Sequence, residues 1–200
     1  MKPYNPLDIE NLGLSVLTAM LSQEPTPLGK IGVFEGAGVY ALYYTGDFPA
    51  YRLLSDANRD GQFSEPIYVG KAIPAGGRKG VAVSTTTRQL SARLREHARS
   101  VTEATNLNIG DFSARYLVVE PIWIPLGEAL LLTRHAPVWN AIVDGFGNHD
   151  PGKGRISGLR PLWDTLHPGR GWATKYPERL QSAETIAIDA TEYLRQRLQV

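Results

Sequence analysis

Six side chains set the chemistry open to this chain: Tyr40 and Tyr68 in two short hydrophobic runs, Arg93 and His97, a solitary Glu128, and Asn140. A phenol hydrogen-bonded to water orients it or, with cations nearby, takes its proton. Arg93 and His97 stand at i and i+4 and so share one side of a helix. There the guanidinium fork clamps phosphate oxygens, while the imidazole bonds a phosphate or a catalytic phenol. Glu128, set among leucines in LGEALLLT, is either a half-exposed surface residue or a metal ligand. One carboxylate completed by water and phosphate suits a hard divalent cation such as Mg²⁺, and no adjacent acid offers a two-metal site. Asn140 braces such a site or binds the phosphate. Together the set suits phosphodiester cleavage with one metal ion. Taken singly, each residue also fits an ordinary strand or helix surface.

Other polar residues are less specific. Lys71 follows Gly70, but the pair lacks the GxxxxGK[ST] frame of a phosphate-binding loop; Lys71 serves instead as a general base or a phosphate contact. His135, His149 and His167 have no zinc-like spacing and no cysteine partner.

The elements that must carry these residues follow from periodicity. Residues 7–22 have apolar positions at helical spacing, with Asp8 and Glu10 near the start, and Pro25 and Pro27 close the segment. Residues 38–45 and 67–71 read as strands, separated by a polar insertion over 46–66. If the two strands pair, Tyr40 and Tyr68 project from one face. The glycine-rich stretch 73–86 reads as a loop, and a helix follows over about 87–100, with Thr86 or Thr87 as N-cap and Leu90 and Leu94 as its apolar edge. A third strand spans 112–120. Pro125 opens a helix over 126–134. Residues 144–177 are irregular, and an amphipathic helix covers 182–198. The class is mixed α/β (α+β), in one domain over 1–200.

Bulk properties narrow the function. At 200 residues and 42% hydrophobic, the chain builds a real core. It contains no cysteine, so it needs no oxidising compartment. No stretch is long and apolar enough for a membrane span or a secretory signal, and a cytoplasmic protein is the default. Net charge is only +1, yet it is unevenly spread. Residues 1–66 carry four basic and eight acidic side chains, whereas 71–99 carry seven basic ones against Glu96 alone and 149–175 carry five against Asp150 and Asp164. Two basic segments on a near-neutral chain fit a localised anionic ligand.

As a set, GVY (Tyr40), YVG (Tyr68), Arg93, His97, Glu128 and Asn140 resemble the GIY-YIG nuclease superfamily over about 38–140. The long 46–66 insertion departs from most members. Together with GKAIPAGGRKG, GFGNHDPGKGR and WDTLHPGRGW, it is similar to one branch, the compact type II restriction endonucleases that cut the palindrome CCGCGG. The resemblance implies a small three-stranded antiparallel sheet flanked by helices, with insertions and a C-terminal extension. It also implies one Mg²⁺ on Glu128, replaceable by Mn²⁺. Tyr40, or Tyr68 assisted by Lys71, would activate water while Arg93 and the metal stabilise the transition state.

The substrate implied is double-stranded DNA, with 144–177 as a DNA-contacting segment. Arg78, Lys79, Arg99, Lys153, Arg155 and Arg170 are the candidate base or phosphate contacts. A palindrome fits a homodimer, with the N-terminal helix and the insertion as candidate dimer surfaces. A cognate DNA methyltransferase is expected in the same system, not directly bound. Two other readings are a less specific repair or mobile-element nicking nuclease, and a non-catalytic DNA-binding module.

Overall fold

The computed structural model describes residues 8–74, 87–150 and 158–199. In chain order the main elements are α1 (Ile9–Leu21), β1 (Thr26–Pro27), β2 (Gly38–Tyr44), α2 (Arg52–Asn58), β3 (Tyr68–Ala72), α3 (Gln89–Glu103), β4 (Phe112–Val118), α4 (Ile124–His135), α5 (Val138–Ala141), α6 (Leu162–Leu166) and α7 (Ala183–Leu198). The class is mixed α/β with an antiparallel sheet flanked by helices. The sheet has four strands rather than three, in the order β1-β4-β2-β3. The extra strand, Thr26–Pro27, comes from the proline-flanked stretch that reads in sequence as a mere helix stop. Its two residues pair with Ala114 and Ser113.

Every residue of β2 is buried because helices cover both faces of the sheet. On one face Val39, Ala41, Tyr43 and Val69 pack with Leu17 and Met20 of α1 and with Ile124 and Leu131 of α4. On the other, Tyr40, Leu42 and Tyr44 pack with Leu90 and Leu94 of α3, Trp139 of α5, Trp163 of α6 and Leu194 of α7. The alternation of a strand therefore sends Tyr40 towards α3 and its neighbours towards α1 and α4.

The glycines of both short motifs are dictated by close approach. A Cβ on Gly38 would lie 1.9 Å from the Leu117 carbonyl oxygen of β4. Gly70 is the cross-strand partner of Tyr40, and a Cβ there would lie 2.4 Å from the Tyr40 hydroxyl. The second glycine thus makes room for the phenol of the first motif.

Two sequence expectations change. The 46–66 insertion is not uniformly polar and exposed: Tyr51, Leu54, Ser55 and Asn58 are buried, and α2 with the preceding turn packs on α7. Its apolar side is used inside the chain, and α1 packs Leu17 and Met20 against the sheet and α4. Residues 158–177 are not irregular throughout either. They hold α6, and Trp163, Leu166, His167 and Arg170 fill the core. No helix among the described residues is long and apolar enough to cross a membrane.

Candidate active site

The site forms along β3, which among the described residues has a strand neighbour, β2, on one side only. Tyr40 pairs with Gly70 and Leu42 with Tyr68, so both phenols leave the same face of the sheet, their ring centroids 6.3 Å apart. Tyr40 is fully buried and Tyr68 half-buried. Helix α3 lies across that face. Its buried stripe is Leu90, Leu94, His97 and Val101, and His97 replaces an apolar residue on that stripe. Arg93, one position off the stripe, emerges at the rim.

Spacing alone put Arg93 and His97 on one side of α3; packing divides their tasks. His97 is only 1% exposed, beyond reach of a phosphate, and its Nε2 lies 2.7 Å from the Tyr40 hydroxyl. The ring is stacked on Phe146, with centroids 4.5 Å apart. Burial, reinforced by the Arg93 cation, holds the His97 pKa well below the ordinary histidine value, so the ring stays neutral. With Nε2 as acceptor, the Tyr40 phenol donates to it. Burial also lifts the Tyr40 pKa well above the usual tyrosine value, with Tyr68 adding and Arg93 opposing. Tyr68 is raised as well, chiefly by burial; Arg93 and Tyr40 oppose that rise while Glu128 adds to it.

Lys71 leaves the opposite face of β3, towards α4, where its Nζ lies 2.5 Å from Glu128 Oε2. Both side chains retain partial exposure, 34% and 19%. The site therefore straddles the edge of the sheet, with phenols from one face and a lysine–carboxylate pair from the other. Among the described residues no three His, Cys, Asp or Glu side chains are grouped to hold a metal ion. The carboxylate available here is Glu128, already carrying a cationic ammonium. That donor set fits an ion completing its shell with water and substrate oxygens.

Asn140 takes the bracing position of the two open to it. Its side-chain amide accepts from Val69 N and donates to Val69 O, both at 2.9 Å, while Trp139 N donates to Ile67 O. An amide side chain thus stands in for a further strand along the start of β3.

Several participants carry no clear sequence signal. Arg93 Nη2 donates to Gly147 O at 2.6 Å, and Nη1 lies 3.2 Å from Glu96 Oε2 and 2.5 Å from His149 Nε2. A Cβ on Gly147 would lie 2.6 Å from the Tyr68 hydroxyl. Glu96 is detectable as an i+3 partner of Arg93. Phe146, Gly147 and His149 arrive by a return of the chain that no local pattern announces.

The basic residues fare differently. Arg99 is exposed on α3, whereas Arg78, Lys79, Lys153 and Arg155 lie outside the described residues. Arg170 is a correction: it is 1% exposed and cannot read bases. Its Nε and Nη2 donate to the two oxygens of Asp164 at 2.6 and 2.5 Å. Its remaining donors reach the carbonyls of Gly145, Phe146 and Asn148. The guanidinium also lies against the Trp163 and Trp172 rings. Arg170 therefore fixes the backbone of 145–148, the segment that supports Arg93.

The family model of the Eco29kI GIY-YIG domain matches residues 32–194, four-fifths of the chain and all the side chains of the cleft. The chain belongs to the Eco29kI GIY-YIG family. This is a family of type II restriction endonucleases, site-specific deoxyribonucleases, and Eco29kI itself cuts CCGCGG. Membership makes the chain a DNA-binding phosphodiester hydrolase. No curated protein matches the chain significantly.

Proposed function

We propose that the chain is a Mg²⁺-dependent restriction endonuclease that cuts both strands of a palindromic GC-rich site, CCGCGG, as a homodimer. The observation that carries this reading is the convergence of Tyr68, Tyr40–His97 and Arg93 beside Lys71–Glu128 along one edge of the sheet. Family membership supports the restriction-type chemistry, and Eco29kI supplies the target.

In this reading Tyr68, the half-buried phenol, is the base. Its oxygen in phenolate form takes a proton from water; the resulting hydroxide bonds to phosphorus as the bond to the leaving ester oxygen breaks, and that oxygen takes a proton from solvent. Arg93 and Tyr40 favour the phenolate, and Arg93 neutralises charge on the non-bridging oxygens. Tyr40 and neutral His97 position Tyr68 rather than touch substrate. Glu128 would hold the Mg²⁺, replaceable by Mn²⁺, and the ion when bound supplies positive charge at the phosphoryl oxygens. Lys71 then contacts phosphate. Arg99, with Arg78, Lys79, Lys153 and Arg155, contacts DNA around the cut. A two-fold dimer presents one site per strand, and a separate methyltransferase of the same system protects host DNA.

Plasmid DNA carrying CCGCGG, incubated with the protein and Mg²⁺, tests the reading. Discrete fragments ending within that sequence, lost with Glu128→Ala, are expected. Discrete fragments at another sequence overturn the target, nicks without fixed ends indicate a looser nuclease, and binding without cleavage overturns the catalytic reading.

A further inference from the structure

Arg93, the phosphate clamp of the proposed reaction, is already occupied. Its guanidinium opens into a cleft of about 260 Å³ lined by Lys71, Gln89, Ala92, Arg93, Glu96 and His149. Within that cleft the Glu96 carboxylate and the His149 ring both sit against Nη1, and the two are themselves 3.8 Å apart. The opposite side of the fork is fixed by Gly147 O. The fixed contact is a backbone carbonyl held by buried Arg170 through its neighbours, and it has no freedom to leave. The other two contacts are open to solvent: the Glu96 side chain is 45% exposed and that of His149 63%.

An anion arriving along Lys71 therefore meets a guanidinium whose accessible donor already faces a carboxylate. Both anions cannot share it, since like charges a few ångströms apart repel. An exposed ion pair is weak, whereas a phosphate offers several acceptor oxygens and brings the rest of the DNA contacts with it. The balance of strengths favours exchange.

We propose that Glu96 is a placeholder for the DNA phosphate on Arg93, and that His149 moves with the guanidinium from Glu96 to the incoming phosphate. In free protein the pair keeps Arg93 extended and screens its charge; on DNA the phosphodiester takes the carboxylate's place and His149 becomes a further phosphate contact. This inference rests on the assignment of Arg93 as the phosphate clamp.

Binding of a CCGCGG duplex by fluorescence anisotropy, without divalent metal so that no cleavage occurs, tests it. Glu96→Gln is expected to tighten binding about two- to fivefold, the reciprocal of an exposed ion pair's strength. In an Arg93→Gln background the same change is expected to do nothing, because the effect runs through the guanidinium. Glu103→Gln, an exposed acid further along α3, controls for general charge. His149→Ala is expected to weaken binding about three- to tenfold, as loss of one hydrogen bond does, with an unchanged Tm.

If Glu96→Gln leaves affinity unchanged or weakens it, or tightens it equally without Arg93, the placeholder is overturned. If His149→Ala binds as the native protein does, the transfer of His149 is overturned. If Arg93→Gln alone binds and cleaves normally, the failure lies instead with the phosphate-clamp assignment.

Discussion

Asn140 answers both backbone groups of Val69 with one side chain, accepting its N–H and donating to its carbonyl. The strand so held presents Tyr68 immediately before Val69 and Lys71 two residues after it, on opposite faces of the sheet. A single amide thus sets the depth of two site residues from different faces. Asn140→Asp keeps the shape but replaces the donor by a charge facing the Val69 carbonyl. We expect a loss of about 1–3 kcal/mol, measured by urea denaturation, and a fall in cleavage rate that persists well below the unfolding midpoint.

Gly147 tests how tightly the cleft is built. It has ordinary backbone geometry, so Gly147→Ala is free of conformational strain, but the added methyl meets the Tyr68 hydroxyl and Arg93 Nη2. Cleavage is expected to fall at least about tenfold as both groups are displaced, with a stability cost of about 1 kcal/mol or less because both are side-chain ends. Gly32→Ala, where an added Cβ meets nothing within 4 Å, is the control; equal activity of the two variants would contradict the tight packing.

The phenols separate by their surroundings. Burial raises the Tyr68 pKa above 10, so the base form grows with every rise in pH below that value. The single-turnover rate is expected to climb through pH 7–9, and Tyr68→Phe to flatten the climb while lowering the rate about 10²- to 10⁴-fold. Tyr40→Phe is expected to lower the rate less and keep the climb. A rate independent of pH in the native protein would remove Tyr68 as the base.

Much of this site was legible because strands and helices impose fixed periods. The alternation of two strands put Tyr40 and Tyr68 on one face, and the spacing of Leu90 and Leu94 marked the inward edge of α3. Arg170 was misread for the opposite reason. A basic residue among glycines and tryptophans looks like an exposed contact, and only the meeting with Asp164 and three carbonyls makes its burial tolerable. Tyr51 likewise looks like loop until α7 covers it. Its partner, Trp139, and the pairing of its hydroxyl with His167 span too much sequence for any local pattern.

His97 and His167 make acid the weak point of the fold. Burial holds His167 at a pKa of about 3 and keeps His97 well below the histidine norm. Unfolded, both take up protons near pH 6.5. The folded state resists, so stability is whole above that pH and falls progressively between about 6.5 and 3. For His167 the full difference approaches about 5 kcal/mol. Denaturant midpoints measured from pH 8 to pH 4 are expected to fall throughout the acid half of the range. In His167→Gln the slope is expected to be shallower.

The way the sheet ends also bears on the proposed dimer. One border is a two-residue strand that finishes on Pro27, which has no N–H to offer a neighbour. The other begins under Asn140 and Trp139, which already answer the backbone of Ile67 and Val69. Extending the sheet into a second copy is therefore disfavoured at the two-residue border strand and at the start of β3. In the proposed dimer, a second copy therefore meets this one through helices or loops rather than by extending the sheet.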